Sequence, residues 1–291
     1  MCIKKYDLIF VQREAYMLGT SFFERKMGVK VPMIFDFDDS IWIESVSDGN
    51  EKLAFLKHAT KTADIIKHAN LVFAGNEYLA NYASAYNNKV VIVPTTIDTD
   101  VYVNTRQHKK AEEPVCIGWS GSFSTIQHFS LAIPVLKKIR DRYSNKVRFK
   151  IIGDGTYYCP ELETHGNPWI AETEVEDLSQ IDIGIMPLAD DEWVKGKCGL
   201  KGLQYMALGI PTLMSPTGVN KVIIQNGING YLPNSDEDWF NYFVALIEDS
   251  QLRRQIGNAG KETVMKDYST TAWNESYLKY FNEVVNNNIN L

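Results

Sequence analysis

The sequence predicts an α/β protein built from two Rossmann-like, doubly wound domains, the first of them truncated at its start. Three observations predict it. Short apolar runs are continuous rather than alternating, as in parallel strands covered on both faces. They take turns with longer segments that are polar on one side, the pattern of surface helices. The alternation stops once, at a charged stretch without periodicity, and then resumes.

In the first domain, residues 1–94, strands are expected at 7–11, 33–35, 71–74 and 90–93. Pro32 enters the second, Gly75 closes the third and Pro94 stops the fourth. Helices are expected at 21–30, 51–69 and 77–86. A domain of this kind usually opens on a strand and a glycine-rich turn, yet the first 30 residues hold only Gly19 and Gly28. The expectation is therefore that the chain starts partway through this domain and leaves a strand edge uncovered. Residues 95–114 read as an interdomain linker, with Asp98, Asp100 and the run Gln107-His108-Lys109-Lys110-Ala111-Glu112-Glu113 ending at Pro114. In the second domain, 115–270, strands are expected at 115–119, 147–152, 181–186, 211–214 and 230–232. Helices are expected at 125–143, 174–178, 200–208, 236–249 and 251–268. A last helix in 271–291, carrying Trp273, Tyr277 and Tyr280, is expected to cross back onto the first domain.

The chain has 291 residues, of which 45% are hydrophobic and 23% charged, ordinary for a globular protein. Its net charge of −6 argues against nucleic acid as a partner, because phosphate is bound by surplus lysine and arginine. Four separated cysteines form no C-x-x-C pair, and no apolar run approaches the ~20 residues of a membrane span. A soluble, cytoplasmic chain with reduced thiols is expected.

The richest segment for chemistry is 193–216. Lys197, Lys201 and Gln204 are spaced i, i+4, i+7 and are expected on one helical face, with Leu200, Leu203, Ala207 and Ile210 packing from another. Gly196 and Gly199 stand where that helix should begin. A helix start carrying lysines cradles phosphate, since partial charge and free amides point the same way. Gln204 offers hydrogen bonds to a ribose or sugar hydroxyl. The plain alternative is a solvated amphipathic helix.

A second candidate is Gly118-Trp119-Ser120-Gly121-Ser122-Phe123-Ser124-Thr125, a strand, a small-residue turn and a capped helix start. There the amides of Gly121 and Ser122 are candidates for phosphate; a tight βα turn reads equally well. A third is Asp36-Phe37-Asp38-Asp39, at the end of a strand, with Arg13 ending the preceding strand on the same side. Carboxylates there can orient a sugar hydroxyl, act as a base, hold a divalent ion or cap the next segment. The histidines lack the H-E-x-x-H spacing, and neither G-x-S-x-G nor a strand-following G-x-G-x-x-G occurs.

Five motifs in order resemble those of the family 4 glycosyltransferases, retaining enzymes of the GT-B fold. Val93-Pro94-Thr95-Thr96-Ile97-Asp98-Thr99-Asp100-Val101-Tyr102 is similar to the family's interdomain P-N-G-I-D-x-x-x-F segment, and Ile151-Ile152-Gly153-Asp154-Gly155 to its G-x-G strand turn. Asp182-Ile183-Gly184-Ile185-Met186-Pro187-Leu188 resembles D-I-x-x-x-P-S. Gln204-Tyr205-Met206-Ala207-Leu208-Gly209-Ile210-Pro211-Thr212 resembles E-A-M-A-x-G-x-P-V, and Asn226-Gly227-Ile228-Asn229-Gly230-Tyr231-Leu232 the N-G-x-x-G-x-L turn. Residues 34–42 look like the D-x-D-D-x-x-W of a divergent subgroup.

The resemblance implies transfer of a sugar, with retention, from a nucleotide-diphosphate sugar on the second domain to a glycan or lipid-linked acceptor on the first. It also implies a place in cell-surface polysaccharide synthesis and peripheral association with the inner face of the membrane. Arg13, Asp38, Lys197 and Lys201 are then the catalytic candidates. Gly121, Ser122, Gly196, Lys197, Lys201 and Gln204 are the donor-binding ones, with no metal and no cofactor required. The family's E-x7-E pair falls at Gly196 and Gln204, so both carboxylates are missing. Its Arg and Lys after the first strand of this domain are missing too, and Lys197 with Lys201 take their place. Arg13 stands nearest the position of the family's histidine. The rival readings are a nucleotide-sugar epimerase or glycan phosphorylase on the same architecture, and a non-catalytic nucleotide-binding remnant.

Overall fold

The computed structural model describes residues 6–16, 19–43, 60–105 and 113–289. The chain divides into two compact units. One is Met1–Thr95 with Asp191–Cys198 and Trp273–Leu291; the other is Thr96–Asp190 with Gly199–Ala272. Residues 191–198, expected within the second domain, thus group with the first unit. From Thr96 onward the described part of the expected linker groups with the second.

Among the described residues the first unit holds four parallel strands, β1 (Ile9–Gln12), β2 (Met33–Phe37), β3 (Leu71–Ala74) and β4 (Val90–Ile92), side by side in chain order. Right-handed crossovers between strands in stepwise order place every intervening helix on one face of the sheet. The helices Lys61–His68 and Glu77–Ser84 accordingly pack Ile65, Ile66, Leu79 and Ala83 against Met33, Phe35, Phe37, Val72 and Ala74. Alternate residues Ile34, Leu71 and Phe73 face the other way. The helix Thr270–Ile289 covers them with Trp273, Tyr277, Tyr280, Phe281 and Val284, and the Phe73 ring lies 5.5 Å from those of Tyr277 and Tyr280. Both faces of β2 and β3 are buried, so these strands read as continuous apolar runs. Of the helix expected at 51–69, residues 51–59 lie outside the described residues.

The second unit holds β5 (Val115–Ser120), β6 (Val147–Gly153), β7 (Tyr158–Cys159), β8 (Thr164–Pro168), β9 (Ile183–Met186) and β10 (Thr212–Met214). Their order is β10-β9-β5-β6-β8-β7, all parallel except the β7–β8 hairpin. The helix expected at 125–143 is two, Ile126–Ser130 and Ile133–Tyr143, because Pro134 lacks an N–H and fits only a first turn. Instead of a strand at 230–232 there is an isolated bridge from Tyr231 to Leu213. The chain leaves β5 for β6 on one side and returns at β9 on the other. In open α/β sheets such a reversal marks the place where ligands bind, outside the carboxyl ends of the two strands that flank it, here β5 and β9.

Candidate functional site

In the second unit, the turn after β5 is tightly built. Gly121 N–H donates to the Ile152 carbonyl at 3.0 Å and Ser122 N–H to Thr125 Oγ1 at 2.8 Å, as Ser122 and Thr125 cap a 3-10 turn reciprocally. Both amides are engaged inside the protein. Glycine is required at 121 because a Cβ would lie 2.3 Å from the Trp119 ring. Gly153, at φ +151°, lets the turn after β6 come against it.

The helix Leu200–Ala207 follows β9, with Gly199 as its N-cap at φ +76°. Leu203 and Ala207 are buried, and so is Tyr205, whose Oη accepts from Ser120 N–H at 2.7 Å. Gly184 on β9 makes room for that ring, since a Cβ there would lie 2.5 Å from it. Beside Tyr205 runs a chain of polar contacts. Gln204 Nε2 donates to Tyr102 Oη. Tyr102 O–H donates to Glu174 Oε2 at 2.5 Å, Trp169 Nε1–H donates to Glu174 Oε1 at 2.8 Å, and Lys201 Nζ lies 3.7 Å from the same oxygen.

Glu174 opens the helix Glu174–Ser179, whose far end is held by Lys150 of β6. That buried amine donates to Asp177 Oδ1 and Gln180 Oε1, each at 2.8 Å. Burial pushes the Glu174 carboxyl up. The hydrogen bonds of Tyr102 and Trp169 and the charge of Lys201 outweigh it, leaving the group below the usual glutamate range. Burial lowers the Lys201 amine, against Glu174. Burial and then Glu174 raise the Tyr102 phenol, so it stays protonated. Two buried oxygens, Ser120 Oγ and Gln204 Oε1, have no hydrogen-bond partner among the described residues.

The first unit carries a separate cluster. Arg13 follows β1 at φ +61°, costly for a side-chain-bearing residue, with its N–H donating to the Asp36 carbonyl at 2.7 Å. Its Nε reaches Asp38 Oδ1 at 2.8 Å and its Nη2 reaches Asp39 Oδ2 at 3.1 Å. Lys197 Nζ lies 3.5 Å from Asp39 Oδ2 and 3.7 Å from the centre of the Trp193 ring. Asn76 anchors this segment. Its Nδ2 donates to the Lys197 carbonyl at 3.1 Å while its Oδ1 caps the helix Glu77–Ser84 through Leu79 N–H. Burial, then the charge of Asp38, push the Asp36 carboxyl up to about 7, with Arg13 opposing. Burial also drives the Cys198 thiol far above its usual range, so it is no nucleophile.

Arg13 and Asp38 therefore meet, joined by Asp39 and Lys197. Lys201, Gln204, Gly121 and Ser122 lie in the second unit around the carboxyl end of β5 and the helix after β9. Lys197 does not share that helix with Lys201: Gly199 starts it at Leu200, and Lys197 belongs to the first unit. Gly196 does not open the helix either. It caps the short helix Glu192–Lys195, and a Cβ on it would lie 2.0 Å from Ser40 Oγ. Leu200, expected to pack, is exposed. Sequence reasoning missed Tyr102, Trp169 and Glu174. Tyr102 sat in an apparent linker and Trp169 after a polar strand. The one available signal was Lys150, a lysine inside an apolar run. Among the described residues no three histidine, cysteine, aspartate or glutamate side chains form a metal site, and no helix is long and apolar enough to cross a membrane.

Residues 114–249 match the family model described as Glycosyl transferases group 1. The match takes in Gly121, Ser122, Glu174, Gly196, Lys197, Lys201 and Gln204 and leaves out Arg13 and Asp38. No curated sequence matches the chain. Solved structures do. Sucrose-phosphate synthase of Thermosynechococcus elongatus aligns with a TM-score of 0.69 at 13% identity, over 96% of this chain and 74% of that one. HepE of Anabaena in complex with UDP aligns at 0.67 and 14%, over 96% and 79%. A glycosyltransferase of Rickettsia africae aligns at 0.68 and 13%, over 97% and 78%. At these identities the likeness is one of fold: the GT-B architecture, with Rossmann-like α/β units.

Proposed function

We propose that this chain is a glycosyltransferase that moves a sugar, with retention, from a nucleotide-diphosphate sugar to a glycan or lipid-linked acceptor in cell-surface polysaccharide synthesis. One observation carries the reading. At the β5–β9 reversal the helix after β9 carries Lys201 in its first turn, and Ser120 Oγ and Gln204 Oε1 are buried without a partner among the described residues, all within the segment that matches Glycosyl transferases group 1. The UDP bound by HepE supports a nucleotide donor.

In this reading the second unit holds the donor. Sugar transfer builds negative charge on the departing diphosphate, and Lys201 with the first-turn amides of its helix stabilises it. The amides of Gly121 and Ser122, already bonded, shape the turn rather than bind phosphate. In the first unit the Arg13–Asp38–Asp39 cluster is the candidate for binding acceptor hydroxyls; in the transfer itself the proton of the attacking hydroxyl passes to the leaving phosphate. No strong protein base is then needed.

A second reading, a nucleotide-binding protein without transfer, is favoured by the missing carboxylates at 196 and 204. Purified protein incubated with UDP-, GDP- and dTDP-sugars decides between them. Release of nucleoside diphosphate with one donor, increased by acceptor, is expected. Nucleotide binding without release supports the second reading, and no binding of any nucleotide overturns both.

A further inference from the structure

The hydrogen bonds around Gln204 have a direction. Glu174 is ionised and can only accept, so the Tyr102 O–H must point at it. With its single proton committed, Tyr102 Oη can only accept from Gln204, which fixes the amide with Nε2 toward the tyrosine. Gln204 Oε1 is what remains. It is an acceptor on a residue only 4% exposed, with no partner among the described residues. A buried carbonyl left unmet is destabilising, and a ligand hydroxyl donating to it removes that cost. Position 204 is also where the family resemblance places a carboxylate.

We propose that Glu174, acting through Tyr102, is a positioning residue that turns the Gln204 carbonyl oxygen toward a ribose hydroxyl of the nucleotide, so that a glutamine serves as the acceptor a carboxylate would otherwise be. The inference rests on the donor site proposed above. A carboxylate presents acceptors whichever way it rotates, whereas an amide presents a donor on one side. An amide at 204 therefore works only if something fixes its orientation. Glu174 is placed to do so: it starts a helix pinned by Lys150, and Trp169 holds its second oxygen.

The test compares the affinities of UDP and GDP with those of their 2′-deoxy and 3′-deoxy counterparts by calorimetry. Wild-type protein is expected to prefer one ribonucleotide over a deoxy form about tenfold, near the value of one buried hydrogen bond. Gln204→Leu should abolish the preference. Glu174→Gln and Tyr102→Phe, which free the amide to turn, should reduce it to about twofold. The double variant Glu174→Gln/Gln204→Glu should restore it, because a carboxylate needs no orienting. That rescue separates positioning from damage to the fold, which circular dichroism of each variant also monitors. The proposal is overturned if Glu174→Gln and Tyr102→Phe keep the full preference while Gln204→Leu loses it, if the double variant shows no recovery, or if wild-type protein binds ribo- and deoxynucleotides equally. This last result leaves the glycosyltransferase reading standing. Failure to bind any nucleoside diphosphate removes both.

Discussion

Lys201 and Asp36 hold the two charges whose surroundings are most informative. Lys201 lies 3.7 Å from Glu174, longer than a hydrogen bond, so its N–H groups can turn to an incoming anion. Lys201→Ala should weaken nucleoside diphosphate binding about tenfold, or roughly 1.4 kcal/mol, while changing the melting temperature by less than about 3 °C. Calorimetric titration checks it, and unchanged affinity would remove Lys201 from the phosphate site. Asp36 bears on stability. Its carboxyl titrates at 3.8 in a free chain and at about 7 in the folded protein. Between those values the native state keeps a proton that the unfolded state has lost, so stability falls as pH rises from about 4 to about 7 and stays reduced above. Asp36→Asn should flatten that slope. At pH 8 the variant should be more stable than wild type by about 2 kcal/mol, allowing for solvent screening of a partly buried group, and at pH 4 no more stable. Urea denaturation at the two pH values tests it.

At the scale of elements, the helix Leu200–Ala207 is seated by glycines that face different neighbours. A Cβ at Gly184 would meet the ring of fully buried Tyr205 at 2.5 Å, and a buried ring has nowhere to go. Gly184→Ala should therefore cost about 1–3 kcal/mol and disturb the Tyr205–Ser120 bond with it. A Cβ at Gly202 would meet the flexible thioether end of Met214, and alanine favours helix by up to about 1 kcal/mol over glycine. Gly202→Ala should come out within about 1 kcal/mol of wild type. Denaturant midpoints of the two variants should differ accordingly.

Elements announced by continuous apolar runs were legible in the sequence: β2, β3, β5 and β9 lie within two residues of expectation. The β7–β8 hairpin was not, because Thr164–Pro168 pairs through its backbone with β6 on one side and the short edge strand β7 on the other, and carries no apolar pattern. The same holds for the site. Lys201 and Gln204 showed through helical spacing, but spacing also assigned Lys197 to their helix, since nothing in it reveals that Gly199 adopts a left-handed conformation and restarts the chain. Glu174 and Tyr102 stand 72 residues apart, and only the packed second unit brings them together.

For the whole molecule, the last helix carries more of the first unit than its position at the end of the chain suggests. Trp273, Tyr277, Tyr280 and Phe281 cover Ile34, Leu71, Phe73 and Val93. These four rings are partly buried against the sheet, and without them the apolar residues they cover would face water. Deleting residues 273–291 should leave the amides of β5 and β9 protected from hydrogen exchange while those of β2 and β3 exchange freely. Unchanged protection in β3 would refute this.

The first unit is assembled from three stretches of chain, the last of which begins at Trp273. Synthesis therefore delivers every residue of the second unit before the first has its full complement. A sheet made early must wait, with one oily side bare, for a cover translated about 180 residues later. At ~5–20 residues per second that interval runs to about ten seconds or more, long enough to engage a chaperone. On the ribosome, the unit begun before the other is completed after it.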